Sequence, residues 1–293
     1  MPPPDPLLPS GAPPLDRATI IRHATRAAAH YDAAADLARE VGDELLSRVG
    51  FFGLAPRVVL DLGAGTGLAS RALRRRFPDA QVVALDIAPA MLARAARHAR
   101  WPRRFARVAG DAGALPLRTG SVDLVYSNLA LAFFVAPDAA LAEVRRVLAP
   151  DGLMLFSSFG PGTLAELRAS WAAADGAVHV HEFIDMHDLG SALARAGFAE
   201  PVLDVEQYVR HFDSLRALAD ALRATGARNA HAARVRGLTG RGRLAALTRA
   251  YEERRAIAGL PATAEVVYGA AFAGRPSAQG GETGAVPPRP RRR

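Results

Sequence analysis

Three acids and three glycines carry the first chemistry that can be read from this chain. Val58-Val59-Leu60-Asp61-Leu62-Gly63-Ala64-Gly65-Thr66-Gly67 passes from β-branched apolar residues through an acid into glycines at alternate positions. That is the pattern of a buried strand opening into a tight loop. Glycine there lets the backbone take positive φ and approach a ligand with no Cβ in the way. Leu68 to Phe77 has apolar residues at helical spacing, so a helix N-terminus with free N–H groups and a positive dipole end follows the loop. Gln81 to Asp86 is a second apolar run ending in an acid, 21 positions beyond Gly65. An acid at the tip of the second strand is where doubly wound folds hold a ribose diol. The glycine spacing is G-x-G-x-G, with leucine at 68, and so departs from the G-x-G-x-x-G nicotinamide fingerprint. The loop alone is equally a tight βα turn without a ligand; the loop together with Asp86 points to a cofactor site.

The surrounding elements are those of an α/β, doubly wound parallel sheet. Pro89 opens a helix, Phe105–Ala109 is a short third strand, and Val122–Ser127 is a fourth with Asn128 at its tip. Asp111 follows the third strand, on the side where ligands lie, and can accept from an adenine amino group. Asp138 is placed to cap a helix to Leu148, and 153–158 reads as a fifth strand. Before the sheet, 16–49 reads as helix, placed to act as a lid, with Tyr31 as a rim aromatic in the plainer reading. After Phe159 the rhythm changes to helices at 164–175, 186–196, 214–223 and 242–258, with strands at 201–209 and 264–272. The predicted organisation is a disordered segment over 1–15, a domain over 16–273 and a disordered basic tail over 274–293. The domain divides into a helical lid (16–50), a cofactor-binding core (57–159), a helical substrate-side insertion (160–260) and a closing strand (261–273).

At 293 residues, half of them hydrophobic, the chain can bury a full core. It has no cysteine, which excludes disulfides, thiolate metal sites and a cysteine nucleophile. All 37 basic residues are arginine and the net charge is +8, which suits an acidic partner. The arginines are spread along helices without interleaved aromatics, so no nucleic-acid partner is predicted. No apolar run reaches the roughly 18 residues of a membrane span, and Met1 to Leu15 lacks the features of a secretory signal; a cytoplasmic protein is expected. His179, His181 and His187 lack a recurring ligand spacing, so they read as solvated loop histidines and no metal site is predicted.

The glycine loop preceded by Asp61 resembles motif I of the class I S-adenosylmethionine-dependent methyltransferases. Further segments narrow the likeness: Arg26-Ala-Ala-Ala-His-Tyr31, Ser127-Asn-Leu-Ala-Leu131, Gly162-Thr-Leu-Ala-Glu-Leu-Arg168 with Trp171, Asp185 to Gly190, Arg195-Ala-Gly-Phe198, Arg223-Ala-Thr-Gly-Ala227, Leu260-Pro-Ala-Thr and Val267-Tyr-Gly. Over about 17–273 the chain is similar to the malonyl-[acyl-carrier protein] O-methyltransferases, which prime pimelate synthesis for biotin. The resemblance implies a Rossmann-like class I methyltransferase fold with S-adenosyl-L-methionine held by Asp61, Gly63, Ala64, Gly65, Gly67, Asp86, Ile87, Asp111, Ala112 and Asn128, and with Tyr31 at its border. The implied partner is a malonyl-loaded acyl carrier protein. Where that family continues with a Gln-Trp pair, this chain has Ala132-Phe133, so a changed acceptor pocket is open. Two alternatives stay beside it. One is a mitochondrial complex I assembly factor that hydroxylates arginine, which shares the Thr-Leu-x-Glu-Leu-Arg and Asp-Leu-Gly segments; the other is a methyltransferase for another small acceptor.

The implied acceptor, a carboxylate, is ionised at neutral pH and needs no general base. An arginine fork suits its paired oxygens. Arg168 and Arg223, both in the family-like segments, are the candidates beside Tyr31, and each reads equally as a surface helix arginine.

Overall fold

The computed structural model describes residues 15–99, 104–235, 237 and 239–274. The segments expected to be disordered therefore lie outside the described residues, apart from Leu15 and Gly274. In chain order the elements are α1 (Arg17–Ala27), α2 (Tyr31–Ala34), α3 (Asp36–Arg48), β1 (Val58–Leu62), α4 (Leu68–Arg76), β2 (Gln81–Asp86), α5 (Pro89–Ala95), β3 (Ala106–Ala109) and β4 (Val122–Ser127). They continue with α6 (Pro137–Val147), β5 (Leu148–Phe159), α7 (Ala165–Ala172), α8 (Met186–Arg195), β6 (Ala199–Phe212), α9 (Leu215–Ala224), α10 (Arg241–Glu252) and β7 (Leu260–Phe272).

One seven-stranded sheet runs β3-β2-β1-β4-β5-β7-β6. The first five strands are parallel, and β7 lies antiparallel between β5 and β6. The strand order reverses between β1 and β4, and the crevice at that switch point opens at the carboxyl ends of the strands. The apolar run Val59 to Leu62 is buried on both faces, as parallel strands covered by helices must be. On one face Leu60, Leu62 and Val125 pack with Leu141 and Val144 of α6 and Leu189 and Leu193 of α8. On the other, Val59, Leu124 and Tyr126 pack with Val41 and Leu45 of α3 and Leu73 of α4. A separate small core, with Leu167, Leu218, Leu247 and Tyr251, unites α7, α9 and α10. The Tyr251 hydroxyl, buried there, donates to the Pro261 carbonyl at 2.7 Å.

Three sequence expectations are corrected by the packing. The helix expected over 16–49 is broken at 28–30 and at Ala35 into three. α1 buries Thr19, His23 and Ala27 beside α5, whereas α3 buries Val41 and Leu45 against the sheet, so the chain must turn between two surfaces. α3 therefore belongs to the core, and the lid expectation is left with α1 and α2 alone. The span 160–260 is likewise not one helical insertion. α8 covers the sheet and β6 forms its edge, paired along β7 from Ala199 to Phe212. From this span α7, α9, the loops beside them and the end of β6 line the crevice. Asp138 is not a cap: Ala136 holds that position, Pro137 starts α6, and Asp138 lies in the first turn within 3.5 Å of Arg195.

Candidate active site

The loop after β1 owes its shape to backbone contacts. The amides of Gly63 and Ala64 both donate to the Leu85 carbonyl, at 2.8 and 2.9 Å, which ties the tips of β1 and β2 together. Gly63 has φ +75, and a Cβ on it would stand 2.2 Å from the Ala130 Cβ. Gly65 has φ +54, and a Cβ there would meet nothing within 4 Å. A Cβ at Gly67 would meet Ala95 at 2.9 Å and the Phe105 ring at 3.0 Å, so this third glycine serves helix packing. Gly63 and Gly65 line a cavity of about 1250 Å³; Asp61, Ala64 and Gly67 do not. Asp61 sits behind the loop, 1% exposed, and accepts from the Ser70 hydroxyl of α4. Burial pushes its carboxyl up to about 7.

Asp86 lines the cavity and splits its carboxylate between two loops. One oxygen accepts from the Gly65 amide and the other from the Ala88 amide, each at 2.8 Å. The protein packed round it raises its pKa, with those two amides opposing the shift. Ile87, Asp111 and Ala112 continue the same wall. Asp111 accepts from the Gly113 amide at 2.9 Å and meets Arg17 of α1 at 3.1 Å. The N-terminal helices are thus fastened to the loop after β3. A second tie is the Thr66 hydroxyl donating to Asp32 at 2.5 Å. Tyr31 lines the cavity and packs on Ala27, Ala28, Ala88 and Met91. Burial, reinforced by the Asp86 charge, pushes its phenol up to about 12, so it stays a hydrogen-bond donor at neutral pH.

At the tip of β4, Asn128 lines the cavity while its amide holds neighbours in place. It donates to the Ala38 carbonyl at 2.7 Å and accepts from the Ser157 hydroxyl at 2.8 Å. Leu129 follows at φ +55 and Leu164, at the N-cap of α7, has φ +54; both line the cavity. Non-glycine residues in that region store on the order of 1–3 kcal/mol each and gather at functional sites.

The same cavity extends under α7 and α9 into an aromatic chamber. Phe133 meets the Phe159 ring at 6.3 Å and the His181 ring at 5.7 Å, edge to face, and Phe183 closes on His181 at 4.6 Å. The Ala132-Phe133 departure thus keeps an aromatic wall. Trp171 stacks on His179, whose Nε2 lies 2.7 Å from Asp175.

The three residues expected to act on the acceptor are not gathered at one point. Arg168 is absent from the lining residues and donates instead to the carbonyls of Pro161 and Thr163, at 3.0 and 3.1 Å. It braces the turn that leads into α7. Arg223 does line the cavity, in the last turn of α9, 58% exposed and paired with Asp220. Tyr31 stands at the glycine-loop end. The expectation of solvated histidines is right for His187, 85% exposed, and wrong for His181, 5% exposed. Burial holds His181 down to about 4, and its Nε2 has no partner. His23 is similar: buried, lowered to about 4 chiefly by burial and then by nearby arginines, with Nδ1 unpartnered. Sequence reasoning missed both, because nothing local separates a histidine folded under a ring cluster from one in water. It missed the arginines at the cavity mouth too, which come from α1 and from the segment after α9.

The methyltransferase domain family matches residues 60–156, from β1 through β5. A malonyl-[acyl-carrier protein] O-methyltransferase of Laribacter hongkongensis is 50% identical over 273 residues, covering 90% of this chain and 91% of the relative. That of a Methylovorus species is 47% identical, covering 88% and 89%. Among solved structures, the YcgJ protein of Bacillus subtilis aligns with a TM-score of 0.54 at 17% identity, over 76% of this chain and 94% of that one, a likeness of fold alone. The complex I assembly reading is not favoured by these relatives. From its sheet, its glycine loop and relatives matched almost end to end, the chain belongs to the malonyl-[acyl-carrier protein] O-methyltransferase family.

Proposed function

We propose that this chain transfers a methyl group from S-adenosylmethionine to the free carboxylate of a malonyl thioester on an acyl carrier protein, the step that starts pimelate synthesis for biotin. The observation that carries this reading is one continuous cavity lined by acids beside the glycine loop and by exposed arginines of α1, α9 and the segment after α9. Asp86 and Asp111 line it beside the glycine loop, and Arg22, Arg26, Arg223 and Arg228 line it at the mouth. The acids suit a cationic cofactor and the arginines an anionic substrate arm.

The residues present fit that cofactor. Gly65 leaves the space beside its backbone clear of other atoms to 4 Å, Asp86 offers an acceptor for a ribose diol, and Leu62, Ile87, Met91 and Ala112 supply apolar wall. In this reading Gly63, Gly65, Asp86, Ile87, Asp111 and Ala112 touch it, and Asn128 and Tyr31 border it. Asp61, Ala64 and Gly67 act from behind, by shaping the loop. When bound, the cofactor supplies an electrophilic methyl group on a sulfonium.

The protein's own part is placement. The acceptor carboxylate is already ionised, with an ordinary pKa near 4, which matches a chamber whose buried tyrosine and histidine are not poised as bases. Tyr31 donates a hydrogen bond at the reacting end. Arg168 positions the turn 161–163 under which the acyl group lies, and Arg223 draws an anionic substrate into the mouth. Closure of α1 against the segment after α9 removes water from the carboxylate and fixes its line of approach.

The test is label transfer from radiolabelled S-adenosylmethionine to malonyl-carrier protein, with acetyl-carrier protein as control. Label on the malonyl carrier that is released by ester hydrolysis supports the reading. Cofactor binding with no label on either carrier overturns it.

A further inference from the structure

Two arginine pairs from distant parts of the chain meet at the cavity mouth. Arg22 and Arg26 lie one turn apart on α1, Arg223 is in the last turn of α9, and Arg228 follows the turn at Gly226. Gly226, at φ +74, lets the segments touch: a Cβ there would stand 3.3 Å from the Ala27 Cβ and 3.4 Å from the His23 carbonyl oxygen. The Asp16 amide, donating to the Ala230 carbonyl at 2.8 Å, fastens the same seam. All four arginines line the cavity.

Their charges are poorly compensated. Arg22 donates to the Thr19 hydroxyl at 2.7 Å, and Arg223 pairs with Asp220. Among the described residues, the side chains of Arg26 and Arg228 have neither a hydrogen bond nor an acid partner. Arg234 alongside shows the contrast, held by Asp16 at 3.4 Å and by Thr19 at 2.7 Å. Burial, then the charges of Arg223, Arg26 and Arg22, lowers the pKa of Arg228. Under the cluster, His23 is kept neutral and presents an unpartnered Nδ1. All four side chains are exposed at the opening; like charges gathered there repel one another, and an anion with several acceptor oxygens relieves all of them together. A malonyl carboxylate does not fill this role, because in the reading above it must lie at the glycine-loop end. A carrier's thioester arm has a phosphate at the end remote from the sulfur.

Resting on the methyl-transfer reading, we propose that Arg22, Arg26, Arg223 and Arg228 form a phosphate-binding site, which holds the phosphate of a thioester-bearing arm at the cavity mouth while the acyl end reaches the glycine loop. The shared ligand chemistry is a phosphate ester on a thiol arm, whether carrier-linked or free as in coenzyme A.

The test compares 4′-phosphopantetheine with pantetheine by calorimetry. The wild-type protein should bind the phosphorylated arm roughly tenfold more tightly or better. In R26A/R228A that preference should collapse towards one, and R26K/R228K should keep part of it. The unfolding midpoint of R26A/R228A should stay level or rise, since removing uncompensated charge leaves no bond unmade. In turnover, the KM of R26A/R228A should rise in parallel for malonyl-carrier protein and malonyl-coenzyme A. Equal binding of the two arms by the wild type overturns the proposal. So does a loss confined to the carrier substrate with the phosphate preference intact, which would assign the arginines to the carrier's protein surface. If neither malonyl thioester is methylated, the methyl-transfer reading falls, while the two-arm comparison still decides the site.

Discussion

Alanine substitution at Gly63 and at Gly65 should separate the shape of the loop from its contact with the cofactor. Both residues sit at positive φ, +75 and +54, so each alanine incurs about 1–2 kcal/mol of backbone strain. At Gly63 the new methyl would also stand 2.2 Å from the Ala130 Cβ, far inside the ~3.5–4.0 Å optimum for carbon pairs. Overpacking of that kind adds about 1–3 kcal/mol. G63A should therefore lose about 2–5 kcal/mol, a fall in Tm of roughly 4–20 °C at some 2–4 °C per kcal/mol. At Gly65 the methyl would meet no protein atom within 4 Å, so G65A should lose about 1–2 kcal/mol and only a few degrees. Its methyl instead enters space that the proposed cofactor occupies, and the affinity for S-adenosylmethionine should fall about tenfold or more, the equivalent of some 1.4 kcal/mol. Thermal unfolding and calorimetric titration of both variants make the comparison. If G65A binds the cofactor as the wild type does, the ligand does not approach that face. If G63A melts with the wild type, the backbone geometry of the loop is wrong.

Three further substitutions test the surrounding shell. D86N leaves one carboxamide oxygen where two oxygens accept from the Gly65 and Ala88 amides; one amide goes unpaired at about 1–3 kcal/mol, and titration should show cofactor binding weakened by about ten- to a hundredfold. His181 is buried with its pKa lowered from 6.5 to about 4, so its neutral form is favoured in the fold. The stability this gives is whole above pH 6.5 and drains away as the pH falls towards 4. By pH 5 the loss from His181 is of order 2 kcal/mol, and H181F, which keeps a ring between Phe133 and Phe183, should lose that much less than the wild type between pH 7 and pH 5 in denaturant unfolding, with His23 contributing equally to both; an equal loss in the two would remove the buried neutral imidazole. R168A frees the carbonyls of Pro161 and Thr163. It should lower stability by about 1–3 kcal/mol and raise the KM for a malonyl thioester more than it lowers kcat, whereas a kcat collapse at unchanged KM would put Arg168 on the reacting atoms.

What was legible in the sequence is what the chain specifies locally. The strand-loop-helix around Gly63, the acid closing β2 and the acid after β3 each depend on a few adjacent residues, and the structure carries Gly63, Gly65, Asp86 and Asp111 to one cavity wall. What was not legible depends on which surfaces meet. Apolar positions near 3.5 spacing run almost unbroken from Ile20 to Leu45, yet α1 and α3 face different partners, and the helical turn has to break between them. His181 and His187 stand six residues apart and share one residue type, but only the first is folded beneath Phe133 and Phe183. Asp111 read as a free acceptor, whereas Arg17 from the other end of the domain takes one of its oxygens. Arg168 and Arg223 were equivalent in sequence; in the fold, one is spent on backbone carbonyls and the other reaches the cavity mouth. Each of these outcomes involves α1 or the segments after β5, the parts that close the crevice. The sheet and its loops thus define a methyltransferase-type floor from short stretches of chain, and the selectivity of the site is built where distant segments touch. Its decisive seam is Gly226 against Ala27, a glycine whose reason for being there lies about two hundred residues away in the sequence.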